Sequence, residues 1–203
     1  MAQKLLVATK NRGKLKEYQE ILDGLGDIEW LSLWDVGLGH MEVEETGTTF
    51  EENACLKAEA YANAAGMLTL ADDSGLVVDA LNGEPGVYSA RYGAPEAASD
   101  VDRYQLLLKN LAHIEMPQRT AHFACVIGIA LPNQSPKFAE GRVEGHIGFE
   151  PRGSNGFGYD PVFLLPDGRM LAELPSDEKN LISHRGRALQ ASLPILKSYL
   201  AGQ

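Results

Sequence analysis

Leu5-Leu6-Val7-Ala8 is a short, unbroken apolar run, the pattern of a buried strand. It leads into the polar stretch Thr9-Lys10-Asn11-Arg12-Gly13-Lys14. After that, Leu15, Tyr18, Ile21, Leu22 and Leu25 recur at helical spacing, with Gly24 and Gly26 as the stop. The chain therefore opens as strand, basic loop, helix, and a second strand is predicted over residues 28–33. Residues 34–47 hold Gly37, Gly39 and Gly47 together with Glu42, Glu44 and Glu45, and read as a loop. Thr48 and Glu51 have capping-box spacing and predict a helix through about Ala65, in which Ala54, Ala58, Ala62 and Ala65 form a small-residue face suited to close packing.

Leu68-Thr69-Leu70-Ala71 predicts a further buried strand, ending at Asp72-Asp73-Ser74-Gly75 and followed by a strand-like Leu76-Val77-Val78. Gly83-Glu84-Pro85-Gly86 is a turn. Ser99 is placed to cap a helix that carries Val101, Tyr104, Leu107, Leu108 and Leu111. Residues 120–131 and 138–149 predict two long strands joined as a hairpin by Pro132-Asn133-Gln134-Ser135. A glycine-rich stretch over 151–161 precedes a short strand at 162–165. Ser183 opens a last helix towards Leu200, which Pro194 should kink or interrupt. No repeat, low-complexity tract or linker divides the chain. The order of elements gives an α/β fold with a mixed sheet, read as a single domain over residues 1–203.

Composition narrows the chemistry. A length of 203 residues suits one compact domain or two tightly joined lobes. A hydrophobic fraction of 44% argues against disorder. Eighteen basic against twenty-eight acidic residues give a net charge of −10, which would repel a polyanion such as duplex DNA, so no nucleic-acid partner is expected. Small anions remain open, because a local nest of Lys, Arg and backbone N–H can hold a phosphate within an acidic protein. Cys55 and Cys125 form neither a zinc pattern nor a disulfide framework and read as small buried hydrophobes. No apolar run approaches the roughly 20 residues that span a bilayer, and no secretory h-region is visible. The expectation is a cytoplasmic protein without a membrane partner.

Five stretches carry candidate chemistry. Thr9 to Lys14 leave a buried strand and enter a helix, where free N–H groups and three basic side chains suit phosphate oxygens. The GxxxxGK[ST] spacing is absent, so this is not a Walker A loop. A solvated basic turn fits it equally well. Asp72-Asp73-Ser74-Gly75 sets two adjacent carboxylates at a strand end; a cation such as Mg2+ would relieve their repulsion and Ser74 could donate to a phosphate, while a plain Asx-type turn is the competing reading. Glu42, Glu44 and Glu45 read on charge alone as a solvated loop, and Lys57 as a surface residue of the next helix. Gly153-Ser154-Asn155-Gly156-Phe157-Gly158-Tyr159-Asp160-Pro161 permits close backbone approach and offers Phe157 and Tyr159 as ring faces for a base. Lys179 with Ser183-His184-Arg185 offers donors to a carbonyl or phosphate, though cap chemistry and a surface pair explain them as well. His40, His113, His122 and His146 make no metal-ligand spacing.

Taken together and in order, Thr9/Asn11/Lys14, Glu44 to Gly47, the Asp72 motif, Gly156 to Pro161 and Ser183-His184-Arg185 resemble the inosine triphosphate pyrophosphatase family over nearly the whole chain. The resemblance implies a homodimer of elongated α/β subunits, with a long mixed sheet flanked by helices and a central cleft between two lobes. It implies Mg2+-dependent hydrolysis of ITP, dITP and XTP at the α-phosphorus, releasing the monophosphate and pyrophosphate and so cleansing the nucleotide pool. Carried onto this sequence, Thr9, Lys10, Asn11, Arg12, Gly13, Lys14 and Lys57 would bind the triphosphate. Glu44 and Asp73 would hold the metal, with Asp72 or Glu45 as further candidates, and Asp73 would be the general base. Ser74 would contact substrate and Phe157 would stack on the purine. Gly158 and Tyr159 of the same loop, with Asp160, Lys179, His184 and Arg185, would complete the base pocket. Two other readings are a pyrophosphatase for modified pyrimidine triphosphates and a non-catalytic nucleotide-binding regulator. Lys10, at a position often small in the family, and Pro194 are the departures, and neither touches a motif residue.

Overall fold

An unbroken apolar run needs cover on both faces, and Leu5, Leu6 and Val7 of β1 (Gln3–Val7) have it. In the computed structural model, which describes residues 3–22 and 28–200, β1 pairs in parallel with β2 (Ile28–Ser32) and with β3 (Thr69–Val78). With β4 (Thr120–Ala130), β5 (Lys137–Ile147) and β6 (Phe163–Leu164) these make one six-stranded sheet of order β2-β1-β3-β4-β5-β6, mixed because β6 runs antiparallel to β5. The α-helices among the described residues are α1 (Arg12–Leu22), α2 (Phe50–Ala65), α3 (Asp100–Asn110), α4 (Ser176–Ile182) and α5 (His184–Leu200). None is long and apolar enough to cross a membrane. The expected stop of the first helix at Gly24 and Gly26, and Leu25 on its apolar face, lie outside the described residues.

The chain divides into two compact units, neither of them continuous in sequence. The first comprises the described parts of residues 1–73, 125–141 and 185–203, and the second residues 74–124 and 142–184. In the first unit, strand alternation sends Leu5 and Val7 of β1 into one core with Tyr18 and Leu22 of α1 and Ala188, Leu189 and Leu196 of α5. Leu6 and Ala8 point the other way, against Ala58, Tyr61 and Ala62 of α2. The sheet there is thus covered by α1 and α5 on one face and by α2 on the other. The small-residue face of α2 works as expected: a Cβ on Gly128 of β4 would lie 2.7 Å from the Ala54 carbonyl oxygen and 3.1 Å from the Ala58 Cβ. The second unit gathers Leu76, Val78, Leu107, Phe123, Ile147, Val162 and Phe163 into its own core. There the buried Arg119 closes the C-terminal end of α3, donating through Nη1 to the carbonyls of Leu111 at 2.7 Å and Ile114 at 3.3 Å.

Four local expectations are corrected. The α2 cap is Thr49 with Glu52, one residue on from Thr48 with Glu51; both pairs have the right spacing, and the Glu52 carboxylate accepts from the backbone N–H of Thr48 and of Thr49. Asp72-Asp73-Ser74-Gly75 does not end a strand, because β3 runs through it for ten residues. Asp is a poor strand former by propensity, but here each carboxylate finds cations on its own face. The helix α4 was not foreseen, although Pro175 followed by Asp177 and Glu178 in its first turn is a start signal. Finally, of the kink or interruption expected at Pro194, the interruption does not occur, since α5 continues through it.

Candidate active site

The centre of the first unit's chemistry is the pair Asp72 and Asp73. Because β3 is continuous there, successive side chains leave on opposite faces of the sheet. Asp72, in step with Leu70, emerges on the side of α1 and α5. Its Oδ2 lies 2.8 Å from Lys14 Nζ and 3.5 Å from Arg185 Nη2, and Arg185 in turn pairs through Nη1 with Glu17 of α1. Burial alone would raise the Asp72 carboxyl, but Lys14 and Arg185 outweigh it and hold the group well below the usual carboxylate range. The Cys125 thiol approaches the same oxygen at 3.8 Å; burial pushes it up to about 12, so it stays a thiol and a weak donor.

Asp73, in step with Ala71, emerges on the α2 side. Lys57 Nζ stands between its Oδ1 at 3.2 Å and Glu45 Oε1 at 2.6 Å, and Asn53 Nδ2 donates to its Oδ2 at 3.3 Å. Asn53 and Lys57 are one turn apart on α2, which puts both over the strand. Asn53 also accepts the Gly47 N–H at 2.8 Å through Oδ1, so it ties the acidic loop to the same spot. Burial raises the Asp73 carboxyl above its ordinary value, against the pull of Lys57 and Lys14. The two carboxylates therefore contact different lysines, Asp72 meeting Lys14 and Asp73 meeting Lys57. Lys57 is no surface residue, since its side chain is only 14% exposed. Within the acidic loop it is Glu45 that meets Lys57, while Glu44 is exposed. No group of three or more His, Cys, Asp or Glu converges as a metal set among the described residues.

The basic loop is more occupied than a bare turn. Asn11 caps α1, its Oδ1 accepting from Gly13 N–H at 2.9 Å and Lys14 N–H at 3.1 Å, and Thr9 Oγ1 accepts from Asn11 N–H at 3.2 Å. Two of the N–H groups expected to be free are thus already satisfied. Lys10 Nζ donates to the exposed Glu42 at 2.6 Å, and Arg12 is exposed.

In the second unit the glycine-rich loop forms a defined cradle. Lys179 Nζ lies 2.5 Å from Asp160 Oδ2 and 5.1 Å from the centre of the Phe157 ring, and the Phe157 N–H donates to the same Asp160 oxygen at 2.9 Å. Gly156, at φ +76°, has no room for a Cβ, which would run into this ion pair. The Gly158 N–H donates to Asp100 Oδ2 at 2.8 Å. Tyr159 departs from expectation: it is buried in the core and its hydroxyl donates to the Ser89 carbonyl at 2.8 Å, so Phe157 is the aromatic of this pair that is not part of the core. His184 is buried and stacks on Phe123, with ring centres 4.7 Å apart and planes 10° from parallel. Ser74, half-buried, belongs to this unit. Arg185 belongs to the first, where it is buried and held in the Glu17 and Asp72 network. Glu17, Asn53 and Asp100 were not singled out from the sequence. For the first two a signal existed: each shares a helix face with a lysine already suspected, three or four residues away.

Comparison with known proteins converges on one group. The chain is 52% identical over 188 residues to the dITP/XTP pyrophosphatase of Bacillus licheniformis, covering 92% of this chain and 94% of that one. It is 50% identical over 195 residues to the dITP/XTP pyrophosphatase of Bacillus subtilis, covering 95% and 96%. Among solved structures, a HAM1 protein from Coxiella burnetii superposes with a TM-score of 0.85 at 42% identity, covering 97% of this chain and 99% of the other. Residues 5–195 match the model of the Ham1 family. On these grounds the chain belongs to the Ham1 family.

Proposed function

We infer that this chain hydrolyses non-canonical purine nucleoside triphosphates such as dITP, XTP and ITP to the monophosphate and pyrophosphate; relatives matched over nearly the full chain are named dITP/XTP pyrophosphatase. The observation that carries the mechanism is the buried Asp73 on β3, with Lys57 shared between it and Glu45. In the proposed reaction a water oxygen attacks the α-phosphorus, the bond from that phosphorus to the bridging oxygen breaks, and pyrophosphate leaves. Asp73 orients the water and takes its proton; a carboxyl raised by burial is a stronger base than an ordinary one. Lys10, Arg12 and Lys14 bind phosphate oxygens from the loop that Thr9, Asn11 and Gly13 shape, and Lys57 adds a positive charge beside the base.

Two carboxylates already converge on the Lys57 ammonium, so the residues suit a hard divalent cation with oxygen ligands. Asp73 and Glu45 would hold Mg2+, with the exposed Glu44 as the further candidate from the family motif. Bound there, Mg2+ would neutralise charge on the phosphates. In the second unit we assign the purine to Phe157 as the stacking face, beside Asp160, Lys179 and His184; Gly158 and Tyr159 shape that loop and Ser74 contacts substrate. A donor facing a 6-oxo group satisfies it, whereas the 6-amino group of adenine would leave two donors opposed. Nucleotide pools place the activity in the cytoplasm.

The test is pyrophosphate release from ITP, XTP, dITP, ATP and GTP, and from modified pyrimidine triphosphates, with Mg2+ and with chelator. Metal-dependent release from the first three is expected. Orthophosphate release, or none, refutes the reading and promotes the nucleotide-binding regulator; preference for the pyrimidines redirects the substrate class. Asp73→Asn should abolish turnover while nucleotide binding persists, and unchanged turnover removes Asp73 from its role.

A further inference from the structure

The buried pair of Glu17 and Arg185 takes part in none of the proposed steps, yet Glu17 is built into the helix that carries Lys14. Lys14 and Glu17 sit three residues apart on one face of α1. Across from them, Asp72 Oδ2 is divided between two cations, Lys14 Nζ at 2.8 Å and Arg185 Nη2 at 3.5 Å. Arg185 makes the longer contact, and its other terminal nitrogen, Nη1, is engaged by Glu17. The four side chains balance, two positive and two negative. By side chain, Arg185 is 2% exposed and Glu17 10%, while Lys14, at 14%, is the most exposed of the four.

We propose that Glu17 is a positioning residue for Lys14: by holding Arg185 back from Asp72, it decides which cation Asp72 grips and so where the Lys14 ammonium stands. An apolar pair of equal volume would join α1 to α5 as well as this ion pair does. What an apolar pair could not do is apportion Asp72 between two cations. Without the Glu17 charge, the guanidinium is drawn onto Asp72 and displaces the more flexible and less buried lysine from its place. The inference rests on the reading of Lys14 as a phosphate ligand, and it adds to that reading a residue with no substrate contact of its own.

The experiment is a double-mutant cycle on the full chain with Glu17→Gln, Lys14→Ala and the pair. It is read by steady-state ITP hydrolysis with Mg2+ and by calorimetric titration of inorganic pyrophosphate, with thermal melts to verify folding. Glu17→Gln should raise KM, and weaken pyrophosphate binding, on the order of tenfold, with kcat changed by no more than about twofold. In the Lys14→Ala background the same change should add less than about twofold, because its route is gone. Wild-type KM in folded Glu17→Gln, or an undiminished effect in the Lys14→Ala background, overturns the proposal. If Glu17→Gln fails to fold, Glu17→Asp, which keeps the charge but retracts it, takes its place with the same two outcomes. A wild-type protein that releases no pyrophosphate from ITP refutes the proposed function instead, and the pyrophosphate titration then still decides whether Glu17 acts through Lys14.

Discussion

Two neighbouring aspartates differ here because strand geometry separates them. Asp72 faces Lys14 and Arg185 and is held well below its ordinary range once they outweigh burial; Asp73 faces α2 and is raised by burial. Only Asp73 is therefore suited to take a proton, and Asp72 serves as a fixed counter-charge. The consequence for stability has a definite sign. A carboxyl whose folded pKa is depressed contributes stability that is present above its unfolded value, near 3.8, and lost as pH falls through the lower folded value. Asp72→Asn, which takes the carboxylate charge away from Lys14 and the buried Arg185, should cost about 3 kcal/mol at neutral pH. The gap to wild type should stay constant from pH 7 to about 4 and narrow only below that. Urea titrations across the range check this. A gap that closed already between pH 7 and 5 would mean Asp72 is not held in the charged form.

The elements obey local rules wherever their neighbours permit. The motif types around Thr9, Asp72, Phe157 and His184 could be read along the chain, and so could the apolar strands and the small-residue face of α2. What could not be read is which face each functional side chain takes. Along the chain Asp-Asp-Ser-Gly reads either as a cation site at a strand end or as a turn; in the fold β3 runs through it, with Lys14 and Arg185 at Asp72 and Lys57 at Asp73. Tyr159 and Phe157 looked equivalent, and burial in the second unit's core separates them. The packing of α2 on β4 belongs to this scale. Gly128 has backbone of α2 2.7 Å from where a Cβ would be, so Gly128→Val should destabilise the protein by about 2 kcal/mol through overpacking. A lower urea midpoint at unchanged slope is the expected readout, and an unchanged midpoint would show that α2 can move away at no cost.

For the molecule as a whole, the family resemblance implies a homodimer, and sedimentation should give twice the mass of one chain. The mass of a single chain would discard that expectation. The chain's own order of residues determined the α/β class, the mixed sheet and the set of motifs, because hydrophobic period, caps and turn residues are local and short-ranged. The five motifs also pointed to the group its relatives confirm. Only the tertiary structure decided that Lys57 and Glu45 join Asp73, that Glu17 and Arg185 flank Asp72, and that Lys179 neutralises Asp160. Charge pairs are formed by residues as far apart in sequence as Glu17 and Arg185, and strand parity and helix docking select the pairs after the chain has folded back on itself.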